Sequence, residues 1–178
     1  MKFSESNDQL WGTYFGGAQL KHISSIEVKP WLSGEFMILG STFSNTPASN
    51  DNSNTPCDVP NSPTFFPDCE SFGLFEPFSS SGLNHEMFVA EFSNDGQLIW
   101  STYFGGDDHE AATLQLQFKM SDIIYDKNDP HVKYIVGTTS GTDFITSSMD
   151  PPNYMQYQTF IGSTGRGFIM KLDGHTPK

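Results

Sequence analysis

The chain is 178 residues long, enough for one ordinary domain with a sizeable core. Nine Lys and Arg stand against 21 Asp and Glu, a formal net charge of −12 that repels phosphate backbones and anionic lipid and so argues against nucleic acid or a membrane surface as partner. Sixteen Phe and plentiful Gly, Pro, Ser, Thr and Asn, without long runs of Ala, Leu, Glu or Lys, favour strands and turns over helices.

The charge is local. Residues 31 to 117 contain no Lys or Arg but twelve carboxylates, so the whole acidic excess lies there. Two readings stand side by side, a solubilising acidic face and a cation-attracting surface. No apolar run approaches the roughly 20 residues of a membrane-spanning helix, so no membrane insertion is expected. The opening "MKFSESNDQL" lacks the apolar core of a signal peptide.

In chain order, the first element is "LWGTYFGG" (Leu10 to Gly17), which returns as "IWSTYFGG" (Ile99 to Gly106) 89 residues later. Upstream the match runs without a gap, pairing Phe3 with Phe92 and Trp11 with Trp100. "SIEV" (Ser25 to Val28) alternates and predicts a strand with one buried face. "FMILGSTFSNT" (Phe36 to Thr46) follows and matches "YIVGTTSGTDF" (Tyr134 to Phe144) around Gly40 and Gly137. Both open as short apolar runs ended by Gly, the pattern of strands buried on two sides.

Next comes an insertion in the first copy, residues 45 to 83, with six Pro and many Ser and Asn that exclude regular structure. It also holds Phe65, Phe66, Phe72, Phe75 and Phe78, which a solvated linker would not need. They read either as anchors that tuck the loop down or as ligand-binding side chains displayed to a protein or glycan. Cys57 and Cys69, the only two cysteines, lie in the same loop and read as a disulfide formed in an oxidising compartment. Closing so short a loop would contribute about 3 kcal/mol.

Beyond the insertion, "MFVAEFSNDG" (Met87 to Gly96) matches "GFIMKLDGH" (Gly167 to His175) with Phe88 on Phe168, and "NDG" signals a hairpin turn into "QLIWSTYF". The second copy opens on "GGDDHEAA", where Asp107 and Asp108 read as turn caps, as a calcium site or as acid–base carboxylates. "LQLQF" (Leu114 to Phe118) alternates strictly and predicts that copy's first strand, with eight extra residues placed near "SDIIYDKNDPH". The five His recur at no equivalent positions, and no nucleophile elbow, phosphate loop or zinc signature is present.

These patterns predict an all-β chain of four antiparallel strands per copy, eight in all, with no helix. A four-stranded unit at a recurring period is the signature of a β-propeller blade, with the repeated Trp and Tyr packing between blades. The expected divisions are 1–17 as the last strand of a preceding unit, 18–106 as a first repeat carrying the insertion 45–83, and 107–178 as a second repeat incomplete at its last strand.

The pieces "STYFGG", an alternating strand, "YIVGTTSGTDF" and "GFIMKLDG", in that order, closely resemble the bacterial β-propeller repeat known as the SBBP repeat, over nearly the whole chain apart from the insertion. The resemblance implies a large secreted or cell-surface repeat protein, often adhesin-like, with acids after "GG" as a repeat feature and no catalytic residues. Two units do not close a ring, so the expected partners are neighbouring blades of a longer chain, or further copies of this one. The expected function is non-catalytic display and binding through rim loops. The alternative is part of a propeller-type glycoside hydrolase, whose paired carboxylates would recur around the ring; here Asp107 and Asp108 have Ala18 and Gln19 as counterparts.

Overall fold

A computed structural model describes residues 1–16, 21–30, 34–42, 86–104, 121–139 and 166–173. Among the described residues the chain is all-β, with no helix. The strands are β1 (Lys2–Phe3), β2 (Gln9–Trp11), β3 (Lys21–Val28), β4 (Phe36–Thr42), β5 (Glu86–Phe92), β6 (Leu98–Phe104), β7 (Asp122–Tyr125), β8 (Val132–Thr139) and β9 (Arg166–Asp173). They form a β1–β2 hairpin, a four-stranded sheet β3-β4-β5-β6 and a three-stranded sheet β7-β8-β9. Every pairing is antiparallel and joins strands consecutive in sequence.

The sequence repeat survives as a repeat of register. Ile26 lies opposite Ile38, and 97 residues later Ile123 lies opposite Ile135. Gly40 lies opposite Phe88, as Gly137 does opposite Phe168. The constant spacing across β3–β4 and β7–β8 makes "DIIY" a strand equivalent to "SIEV". The eight extra residues of the second copy therefore lie before Asp122, not around "SDIIYDKNDPH" as the sequence pattern alone suggested. "LQLQF" lies outside the described residues.

The hairpins recur atom by atom. Ser4 N–H donates to the Asp8 carbonyl at 2.9 Å and Asn7 N–H to the Ser4 carbonyl at 3.0 Å; Ser93 and Gly96 do the same toward Gln97 and Ser93 at 2.9 and 3.0 Å. Each serine Oγ also accepts from a backbone amide, Asp8 at 3.1 Å and Gln97 at 3.0 Å. The turn needs one residue at positive φ, and the copies supply it differently, with Asn7 at 66° and Gly96 at 86°. Asn is among the few side chains that tolerate this region. The register irregularity recurs too, between Lys2 and Phe3 and between Glu91 and Phe92.

Two apolar layers cover the four-stranded sheet, one on each face. On one side Met37, Leu39, Met87, Val89 and Trp100 pack with Ile123, Tyr125, Ile135, Met170 and Leu172 of the three-stranded sheet. Fully burying one such aliphatic side chain contributes about 1.5–3 kcal/mol. On the other side Ile38, Phe88, Ala90, Phe92 and Tyr103 form a second cluster joined by Phe15, Phe36 and Leu98. There Trp11 stacks on Phe36 at 5.8 Å and Phe36 on Phe92 at 5.2 Å, and Phe15 meets Phe92 edge-on at 5.1 Å.

The two layers are built in the same sense. Trp11 of the hairpin and Trp100 of the four-stranded sheet are counterparts, and each packs toward the next sheet along the chain. The stacking is therefore head to tail. The three-stranded sheet ends the described stack, and its far face leaves Ile124, Val136 and Ile169 exposed. Hence "YIVG", expected to be buried on both sides, is buried on one; "FMILG" is buried on both.

In both larger sheets a phenylalanine ring on one strand lies over a glycine on its neighbour. A β-carbon at Gly137 would stand 2.7 Å from Phe168, and one at Gly40 would stand 2.7 Å from Phe88 while also colliding with the backbone carbonyl of His22. A ring can rotate away, but a carbonyl on a paired strand cannot. Gly40→Ala is expected to cost about 3 kcal/mol and Gly137→Ala about 1 kcal/mol, measured by urea denaturation.

Candidate functional site

The strongest polar cluster among the described residues lies in the layer between the two larger sheets. Lys29 follows β3 and Glu35 precedes β4, so the hairpin that joins these strands brings them together, with Lys29 N–H donating to the Glu35 carbonyl at 2.8 Å. Glu91 reaches the same place from β5, where it lies opposite Met37. Lys133 comes from β8 of the other sheet, opposite Tyr125.

Lys29 Nζ donates to Glu35 Oε2 at 2.9 Å and to Glu91 Oε1 at 3.0 Å. The second oxygen of Glu91 faces Lys133 Nζ at 3.9 Å. Lys133 also sits 5.8 Å from the centroid of the Tyr125 ring, within reach of a cation–π attraction. Glu91 and Lys133 are both buried. Two ammonium groups and two carboxylates sum to zero, which is what allows Glu91 and Lys133 to remain charged when buried.

Burial disfavours the Lys29 ammonium, but the bonds to Glu35 and Glu91 and their negative charge outweigh it, and its pKa is raised above the ordinary lysine value. Burial, reinforced by the carboxylates of Glu91, Glu35 and Glu27, pushes the Tyr125 phenol well above its usual range. Its hydroxyl is buried with no hydrogen-bond partner among the described residues.

In this cluster both oxygens of Glu91 face ammonium groups. Among the described residues no group of three or more His, Cys, Asp or Glu is placed to hold a metal ion. The cluster's contact between the sheets is the Glu91–Lys133 pair, which links β5 of one sheet to β8 of the other. A second polar contact crosses the same interface, from Ser25 Oγ of β3 to Asp122 Oδ1 of β7.

The residues singled out in the sequence, Phe65, Phe66, Phe72, Phe75 and Phe78, Cys57 and Cys69, and Asp107 and Asp108, all lie outside the described residues. Of the histidines, His22 and His131 are exposed on β3 and in the β7–β8 turn. The sequence pattern does not reveal the ion cluster. One signal existed, since Glu91 interrupts the apolar "FVAEF" and Lys133 adjoins the apolar "YIVG". No helix among the described residues is long and apolar enough to cross a membrane. No protein-family model matches the chain, and neither does any curated protein.

Removing the central acid leaves the buried Lys133 ammonium and the partly buried Lys29 without their shared partner. Glu91→Gln is therefore expected to cost about 3 kcal/mol in chemical denaturation. Tyr125 and Lys29 both bind their protons more tightly in the folded state, so stability is complete below about pH 10 and falls as pH rises beyond it. Tyr125→Phe should remove the tyrosine share of that alkaline loss, followed by melting temperature between pH 9 and 11. At neutral pH the same change should be neutral or stabilising, because it deletes a buried hydroxyl without a partner.

Proposed function

We propose that the chain forms two successive β-propeller-type blades of a secreted or cell-surface bacterial repeat protein, serving as a non-catalytic module for structural display and binding. The observation that carries this reading is the head-to-tail recurrence of one unit. The same hairpin, register irregularity and glycine–aromatic pair return in both copies, and each sheet offers the same face to the next. Units that stack this way through flat apolar faces are the elements of repeat architectures, where each unit contacts its neighbours. The order β3-β4-β5-β6, a simple meander, is the connectivity of a propeller blade. The SBBP-like spelling of "STYFGG" and "YIVGTTSGTDF" supports the same family of architecture.

The binding role is assigned to the insertion 45–83, since a rigid stack with variable loops is where recognition is carried in such scaffolds. The occupant is a protein or glycan that takes the aromatic side chains of Phe65, Phe66, Phe72, Phe75 and Phe78. Cys57 and Cys69 would brace the loop as a disulfide, and Asp107 and Asp108 would hold calcium or cap their turn.

Replacement of 45–83 by a short Gly-Ser linker is expected to abolish binding on glycan and extracellular-protein arrays without unfolding the sheets. Phe65→Ala with Phe66→Ala should weaken the same binding about tenfold or more. Unchanged array binding by the linker variant, or hydrolysis of a glycan by the chain, would overturn the reading.

A further inference from the structure

Residues 9 to 15, "QLWGTYF", and strand β6, "LIWSTYF", are nearly the same sequence in opposite circumstances. Tyr103 of β6 is 0 % exposed, whereas its counterpart Tyr14 is 104 % exposed. β6 runs along β5 from Phe92↔Leu98 to Met87↔Phe104. The earlier copy pairs only through three-residue β2 with two-residue β1. A segment spelled for a buried strand thus lies largely on the surface.

The complementary vacancy is at the other end of the stack. β9 is the counterpart of β5, with β8 along one edge and, among the described residues, no strand along the other. Ile169 on β9 is 79 % exposed, where its counterpart Val89 is fully buried. "MKL" of β9 and "MKF" of the β1 region both align with "AEF" of β5. β9 therefore offers a β6-type strand what β1 offers β2, over eight residues instead of two.

We propose that β9 of one copy pairs along residues 9–15 of a second copy, displacing its β1, so that chains associate head to tail. The β5–β6 register carries over: Ile169 opposite Thr13, Lys171 opposite Trp11 and Leu172 opposite Gln9. Lys171 takes the place of Lys2, which donates to the Asn94 side chain and, at 3.3 Å, to its carbonyl. The same step lays the exposed face of Ile124, Val136 and Ile169 over Ile26 and Val28 of the second copy, which are 62 % and 59 % exposed. The contact is heterologous, so it propagates or closes into a ring according to its rotation. It rests on the stacked-unit reading above for sheet-on-sheet geometry, not for any ligand.

The test combines light scattering on the full chain with disulfide trapping. Paired strand residues lie about 4.5–5.5 Å apart at Cα, inside the disulfide range. In a Cys57→Ser, Cys69→Ser background, Thr13→Cys and Ile169→Cys chains are made separately, mixed and oxidised. A covalent dimer is expected in the mixture, and none when Thr13→Cys is mixed with Asn128→Cys. The unmodified chain should show a concentration-dependent mass at whole multiples of one chain. Ile169→Glu, at an exposed position, should keep the melting temperature and weaken association about tenfold or more. A monomer at all concentrations, equal trapping with Asn128→Cys, or association untouched by Ile169→Glu would each overturn the inference. Array binding through the insertion would survive that failure, so the two readings fall separately.

Discussion

A sheet that is apolar on both faces has to be covered twice. The four-stranded sheet illustrates this constraint, and the rest of the structure follows from it. Its β4 strand is buried from Met37 to Thr42 without alternation, which in water is tenable only with a layer on each side. The β1–β2 hairpin supplies part of one layer and the three-stranded sheet supplies the other. Because each unit presents one face forward and the opposite face backward, satisfying one sheet exposes the next. The apolar surface is thereby handed along the stack to its ends, where Ile26, Val28, Ile124 and Ile169 meet solvent.

Close stacking sets a second requirement, that the units lie in one register. Apolar layers slide easily, since dispersion and burial are only weakly directional. The interface supplies direction through a few polar groups. Within the neutral set of Lys29, Glu35, Glu91 and Lys133, the Glu91–Lys133 contact crosses between the sheets, and Ser25 with Asp122 marks a second crossing point. An interface of hydrocarbon alone would tolerate several alignments. This one favours the alignment that keeps both polar contacts, at the cost of burying Glu91 and Lys133.

Much of the fold was legible in the sequence, and the reasons are specific. "TYFGG", Trp11 and Trp100, and Gly40 and Gly137 are punctuation with a geometric meaning, so their spacing reported real strand equivalences. The turn at Gly96 was readable because a glycine after Asn-Asp marks positive φ; its twin at Asn7 was hidden because another residue type does the same work. "DIIY" is hard to read as a strand because four residues carry too little periodicity to compete with the clearer alternation of "LQLQF". The ion cluster was the least legible feature. Its members lie up to 104 residues apart, and only tertiary packing turns Glu91 from an odd charge in an apolar run into the hub of a network. The loop residues expected to carry binding lie outside the described residues.

The buried cluster also separates two electrostatic regimes within one chain. The net charge of −12 acts through water, where counterions reach it and its self-repulsion decays over about 10 Å at 0.1 M salt. The Glu91–Lys133 contact is buried, and those counterions screen it much less. Ionic strength therefore acts more on the excess acidic charge than on the alignment of the sheets. Dissolved salt relaxes the repulsion among the excess acids and reaches the contact between the sheets far less.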